Sequence, residues 1–438
     1  MKKITCVILG FGDRSSCYAK YAKLECDELE IIGVIDINEL KRRQGKEIFS
    51  LQNDQIFESL DQFLAADVKC DVVINGTMDE MHYITTMQLL EKGYNILLEK
   101  PITANPQELL EIERKAKEKG CKLVVCHVLR YTPFYTKIKS IIDSGIIGKI
   151  VNMQLNEHVW FGHFVNAYVR GKWRSEKQCG SGLLLAKCCH DTDLMCWLNN
   201  ITTPENITSF GSKSFFTDKN APEGATQFCY QCPHKEACMF NAEKFQIEKD
   251  FIPSYTWAGI NKPLNEITIE EKRAFLKNDT YGQCVFKTDM DIVDRQCVSV
   301  EFANGSIGTL NMVGATSIAG RHIHIICEYG EIEGYIEENK LTLTVFDKDK
   351  IVAEKTYIDL NEEYLLNGKD NSVRGHYGGD YYIMRDLVRF LNGESTSIST
   401  TVIEDSVNSH LICYAAEKSR KQKIIVNLSK EYLMVERG

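Results

Sequence analysis

No apolar run in the chain approaches the roughly 18 residues needed to cross a bilayer, so a membrane-spanning helix is not expected. No basic tail or arginine-rich patch is present either. The net charge of -9, from 52 Lys and Arg against 61 Asp and Glu, argues against a nucleic-acid surface. Low-complexity segments and internal repeats are also missing. The 17 cysteines are odd in number and scattered from Cys6 to Cys413, which points to reduced thiols in a cytoplasmic protein rather than a disulfide framework. Met1-Lys2-Lys3 and a short apolar stretch run into Gly10 without a small-residue cleavage site, so this start reads as a first strand and not a secretory signal. What remains is a globular composition, 26% charged and 44% hydrophobic. At 438 residues the chain is too long for one ordinary core, and two domains are expected.

The first domain is expected over residues 1–126 as an α/β Rossmann-type, doubly wound parallel sheet. Ile4 to Leu9 is an apolar run followed by Gly10-Phe11-Gly12-Asp13-Arg14-Ser15 and a helical pattern. Glycine permits the tight turn and lets backbone approach a pyrophosphate, whose charge the following helix N-terminus favours. Ser15 stands where the third glycine of a dinucleotide fingerprint would be, which weakens the pattern. A second run, Ile31 to Ile35, ends at Asp36, close to the roughly 20-residue offset of the acid that bonds ribose hydroxyls. Asp36 would repel a ribose phosphate, so NAD is favoured, while Lys41-Arg42-Arg43 keeps NADP open. Asp71 to Asn75, Asn95 to Leu98 and Lys122 to His127 supply further strands, and Asn105-Pro106-Gln107-Glu108 reads as a helix start with a capping box.

The run Asn95 to Leu98 ends abruptly in Glu99-Lys100-Pro101. In parallel sheets ligands bind beyond the carboxyl ends of the strands, and the proline keeps the residue before it extended. Lys100 is therefore aimed at the ligand edge. With the glycine turn, Asp36 and Thr77 to His82, these residues resemble the Gfo/Idh/MocA oxidoreductases. That resemblance implies cofactor contacts from Gly10, Phe11, Gly12, Asp13, Arg14, Asp36, Thr77, His82, Glu99 and Lys100. It also implies hydride transfer to or from a ring carbon of a sugar, a cyclitol or a derivative.

The second domain, residues 127–438, is expected to be α+β with a large, mostly antiparallel sheet. Alternating strands begin near Ile150, and Asn304-Gly305 is a two-residue hairpin signal between Val298 to Phe302 and Ser306 to Val313. Leu184 to Trp197 reads as a helix carrying Lys187, His190 and Asp193 on one face, with Asp193 steadying the imidazole. A histidine suits the proton of a hydroxyl being oxidised, and the family's His-Asp-x-Asp helix matches His190. Family dehydrogenases usually have an aspartate four residues before that histidine. Here Ala186 stands there, beside Lys187, so Lys187 is the expected assistant or substrate clamp. Arg170, Trp173, Asp191 and His376 are expected substrate contacts.

Cys229-x2-Cys232, Cys238 and Cys284 lie in a Cys-rich insertion around 217–284 and could close a structural zinc site, with uncoordinated thiols as the rival reading. Two rivals stand beside the dehydrogenase. One is NAD-dependent redox-neutral glycoside cleavage, by oxidation and elimination. The other is a non-catalytic nucleotide or sugar sensor, which retention of Lys100 and His190 disfavours. The resemblance further implies a homo-oligomer, a dimer or tetramer.

Overall fold

The computed structural model describes residues 1–347, 349–361 and 375–433. Six short apolar segments build the first sheet: β1 (Ile4–Leu9), β2 (Leu29–Ile35), β3 (Ile56–Phe57), β4 (Val72–Asn75), β5 (Ile96–Leu98) and β6 (Leu123–Val125). They pair in parallel in the order β3-β2-β1-β4-β5-β6, so the chain reverses direction across the sheet between β1 and β4. That reversal opens a crevice at the carboxyl ends of the strands. Successive side chains serve two different cores. Val7, Leu9, Val73, Ile96 and Leu98 join one, while Cys6, Ile8, Val72, Ile74 and Leu97 join the other. Burial on both faces is why these strands read as continuous apolar runs.

Local chemistry sets the helix starts. The side chain of Asn105 accepts from the Gln107 backbone N–H at 2.9 Å, and Pro106 opens the helix Pro106–Lys119. The expected capping box is not closed, because the Glu108 carboxylate accepts from the Thr103 hydroxyl instead. Gly120, at φ +66°, ends this helix in the left-handed conformation glycine tolerates best.

The second sheet has nine strands: β7 (Ile150–Trp160), β8 (Pro204–Ser212), β9 (Arg295–Phe302), β10 (Ile307–Thr316), β11 (Gly320–Cys327), β12 (Gly330–Tyr335), β13 (Lys340–Asp347), β14 (Val352–Asp359) and β15 (Val426–Asn427). Their order is β14-β13-β12-β11-β7-β10-β9-β8-β15, antiparallel except where β7 meets β10. The β9–β10 hairpin turns at Gly305, φ +84°. Met153, Leu155 and Val159 of β7 face the core, packed with the helices Leu183–Leu198 and Ile403–Gln422. The helix Gly379–Leu391 sits instead against the first sheet, its Tyr381, Ile383, Met384 and Leu387 in one core with Ile8, Ile74 and Leu97. Late chain thus returns to the nucleotide half. Among the described residues no helix is long and apolar enough to cross a membrane.

Candidate active site

The turn after β1 is shaped for close backbone approach. At Gly10, φ +81°, a Cβ would lie 2.7 Å from the Gly76 carbonyl oxygen, so only glycine lets the β1 and β4 turns meet. A Cβ on Gly12 would meet nothing within 4 Å, which leaves its backbone open to the crevice. Ser15 is fully buried against Gly76, where a Cβ would come within 2.0 Å of the serine Oγ. Ser15 therefore does the close packing expected of a third glycine. Asp13 starts the helix Asp13–Ala19. The Asp36 carboxylate accepts from the Phe11 N–H and the Asn38 N–H, both at 2.8 Å. Arg42 donates to the carbonyl oxygens of Asp36 and Ile37 and pairs with Glu58 at 3.0 Å. An open glycine turn, a following helix start and a carboxylate at the end of β2 fit a bound dinucleotide.

A second layer ties this turn to Lys100. Thr77 donates its hydroxyl to Asn75 Oδ1 at 2.9 Å. The buried His82 ring lies with one nitrogen 2.6 Å from Pro101 O and the other 3.1 Å from Thr77 O, bracing two loops. The Lys100–Pro101 peptide bond is cis. Glu99 is buried and accepts from Arg14 Nε at 3.2 Å, from the Tyr18 hydroxyl and, through its other oxygen, from the Lys100 N–H at 3.0 Å. The Lys100 ammonium then donates to Ala186 O at 3.0 Å, in the helix that carries His190.

His190 is 6% exposed and its Nδ1 is buried with no partner among the described residues. Burial, then the Lys100 charge, holds it well below the ordinary histidine value, so it enters the site neutral. Its ring lies edge-on to His127, 5.8 Å between centroids, and 6.3 Å from the ring of His376. Lys187 pairs with Glu157 at 3.2 Å. Glu157 also pairs with Arg321 at 2.7 Å, and Arg321 with Asp191 at 3.0 Å, which makes a buried four-charge cluster between the helix and β7 and β11. Asp191 is raised above the usual carboxylate range by burial, against the opposing pull of Arg321.

Three expectations are corrected. Asp193 does not steady His190; it forms a buried two-pronged pair with Arg130, at 2.7 and 2.6 Å, because the helix is buried on nearly every side and each face meets a different neighbour. Arg170 is not a substrate contact. It is fully buried and donates to Gln283 O at 2.9 Å and Phe240 O at 2.7 Å, pinning the Cys-rich loop. The expected zinc site is not assembled: no three His, Cys, Asp or Glu of the described residues are grouped to hold a metal ion. Instead the Arg170 guanidinium, a cation, reaches Cys229 Sγ at 3.5 Å, while Cys284 is buried and Cys232 and Cys238 are half-buried. Trp173 stays at the cleft, donating to Asp79 Oδ2 at 3.2 Å and packing on Tyr255.

Several polar groups near the site escaped the sequence reading. Glu157 and Arg321 face each other across β7 and β11 in the same inward register as Leu155 and Ile323. A charge at an inward position of an alternating strand was the available signal. His163, depressed by burial and by Lys187 and Lys100, and the fully buried His127 carried no local signature. Asp380 sits in a glycine-rich segment, Gly375 to Asp380, where nothing local points to its partners.

Residues 4–127 match the model described as the oxidoreductase family, NAD-binding Rossmann fold, of the Gfo/Idh/MocA group, and residues 135–230 match the GFO/IDH/MocA C-terminal domain. Over 326 residues the chain is 24% identical to YteT of Bacillus subtilis (strain 168), covering 73% of this chain and 72% of that one. Over 188 residues it is 26% identical to the scyllo-inositol 2-dehydrogenase (NADP(+)) IolW of the same strain, covering 42% of this chain and 49% of that one. A levoglucosan dehydrogenase solved with NADH and levoglucosan shares the fold at TM-score 0.67 and 15% identity, over 97% of this chain and 99% of that one.

Proposed function

The chain belongs to the Gfo/Idh/MocA oxidoreductases, with that family's NAD-binding Rossmann fold, and we propose that it transfers a hydride between a nicotinamide dinucleotide and a ring carbon of a sugar, cyclitol or derivative. One observation carries this reading: the Lys100 ammonium, at the ligand edge of the first sheet, docks on the helix that presents His190. The bound nicotinamide would supply or accept the hydride. Lys100 donates a hydrogen bond to the reacting oxygen and stabilises its developing negative charge. His190, neutral in the folded protein, is a nearby group able to take the hydroxyl proton. Trp173 and the Lys187–Glu157–Arg321–Asp191 cluster offer an aromatic face and polar groups of the types that hold sugars.

NAD is the favoured dinucleotide. Asp36 places negative charge where a ribose phosphate would sit, and Arg42 is already committed to backbone carbonyls and Glu58. Calorimetric titration with NAD, NADH, NADP and NADPH tests this, with tighter binding of the NAD pair expected. A panel of sugars, cyclitols and aryl glycosides then follows by NADH absorbance and product analysis. No binding and no co-purified nucleotide would support a sensor. Aryl glycoside cleavage without NADH accumulation would support the redox-neutral elimination. The open face of the second sheet, which exposes Ile307 and Val313 of β10, supports self-association, and light scattering after gel filtration tests for a dimer or tetramer.

A further inference from the structure

The imidazole best equipped to carry a proton in this site is not His190. Among the described residues His190 has no carboxylate partner, and Lys100 and Arg321 both disfavour its charged form. His376 has the carboxylate partner that His190 lacks, and that partner opposes the nearby charges of Arg14 and Lys187, which disfavour its charged form. Its Nδ1 lies 3.2 and 3.3 Å from the two oxygens of Asp380, its side chain is 37% exposed, and its ring is 6.3 Å from that of His190. A carboxylate on one ring nitrogen fixes the tautomer, turns the other nitrogen outward and supports the imidazolium when it forms.

Asp380 is itself held in place. It is 3% exposed and accepts from Arg14 Nη1 at 3.1 Å and Nη2 at 2.5 Å. A Cβ on Gly375 would lie 2.1 Å from Asp380 Oδ2, so a larger side chain would displace the carboxylate. His376 and Tyr377 adopt φ of +47° and +56°, left-handed conformations that non-glycine residues keep where the surroundings enforce them. The backbone is bent to bring this imidazole onto this carboxylate. The pair is joined to the rest of the site through Arg14, which also bonds Glu99, the residue before Lys100.

We propose that His376 is a second acid–base group of the active site, with Asp380 as its positioning residue. The proposal rests on the oxidoreductase reading above. In the oxidation direction the substrate O–H bond breaks and its proton passes to the outward nitrogen of His376, directly or through His190. The carbon–hydrogen bond breaks with its electron pair leaving as hydride for the nicotinamide, and the carbonyl forms. His376 then releases the proton to solvent through its exposed edge. The charged and titratable groups that face it are Asp380 at the start of the following helix Gly379–Leu391, Arg14 on the first-domain helix, Lys187 and His190 on the Leu183–Leu198 helix, and His163 after β7. Burial lowers His376 from the ordinary histidine value, and Asp380 offsets part of that fall.

The test uses the full chain with NAD bound and 13C-labelled histidine. Imidazole resonances are followed from about pH 4 to about pH 8, with His376→Gln to assign the signal. The His376 signal is expected to titrate below pH 6.5 and to move to lower pH in Asp380→Asn, while His190 stays neutral over the histidine range. A His376 signal that does not titrate, or that ignores Asp380→Asn, overturns the proposal. With a substrate from the screen, His376→Gln is expected to lose on the order of 100-fold in kcat with KM little changed, and added imidazole is expected to restore part of the loss. An unchanged kcat overturns it equally. If the wild type turns over nothing in the screen, the substrate reading fails, and the resonance titration still decides the His376–Asp380 pair.

Discussion

The ammonium of Lys100 donates to the carbonyl oxygen of Ala186 across 3.0 Å, joining the ligand edge of the first sheet to the helix of the second domain that bears His190. A strand end from one half and a helix from the other thus meet at one hydrogen bond. The contact uses a main-chain acceptor, so it does not depend on the side chain at position 186.

Replacing Lys100 by Met keeps the length of the side chain and removes the charge. Turnover is expected to fall by about 100-fold or more, because a donor to a developing oxyanion is lost, while dinucleotide affinity changes little. Single-turnover kinetics beside calorimetry separates the two, and full retained activity would remove Lys100 from the mechanism.

The buried histidines predict acid lability. His127, His163 and His190 lie well below the ordinary histidine value and His410 is lowered to about 3, in each case chiefly through burial. Folded, they stay neutral as pH drops below 6.5; unfolded, they take up protons, so stability is lost as pH falls. Each contributes up to about 1.4 kcal/mol per pH unit. Asp191, raised by burial to about 6, opposes part of this within the same window, and Asp193, also raised by burial, opposes it as pH falls further. The melting temperature is expected to drop between about pH 7 and about pH 5, and His127→Phe is expected to flatten that slope.

Breaking the Arg130–Asp193 pair from one side leaves a buried charge without its partner. Asp193→Asn is expected to cost about 3–5 kcal/mol, whereas an Arg130→Met, Asp193→Leu double change should recover much of it. Urea melts of the single and double variants read the coupling directly, and additive losses would show that the pair does not act as a unit.

Arg170 predicts the behaviour of the Cys-rich loop. Arg170→Leu removes the donors that satisfy Gln283 O and Phe240 O, so the loop should open locally. Alkylation of Cys229, Cys232, Cys238 and Cys284, followed by mass spectrometry, is expected to accelerate several-fold over wild type. Unchanged labelling would mean that Arg170 does not hold the loop closed.

Asp36 should set the dinucleotide preference. Asp36→Ala removes the repulsion of a ribose phosphate and also the acceptor for the Phe11 N–H, so NAD affinity should fall and the NAD to NADP ratio should narrow. Competition titrations with both dinucleotides measure the ratio, and an unaltered preference would assign it to other residues.

The first sheet was legible because each of its strands is buried on both faces and therefore apolar throughout. Gly10 and Lys100 were legible for a related reason, since chemistry at a strand end follows from where the strand stops. Spacing puts one functional face on the helix around His190, yet the helix is buried on nearly all sides, so spacing cannot say which neighbour each residue meets. Lys187, His190 and Asp193 go to three different partners.

The sequence by itself determined the parallel nucleotide fold, the antiparallel second sheet and the placing of Lys100 at a ligand edge, because these depend on residues near one another in the chain. Only the tertiary structure decided the pairing of charges: Asp193 with Arg130, Glu157 with Lys187 and Arg321, Asp380 with Arg14 and His376. Most of those partners come from distant elements, and each buried charge settles on whichever opposite group the packed elements bring within a few ångströms. No local pattern encodes that distance.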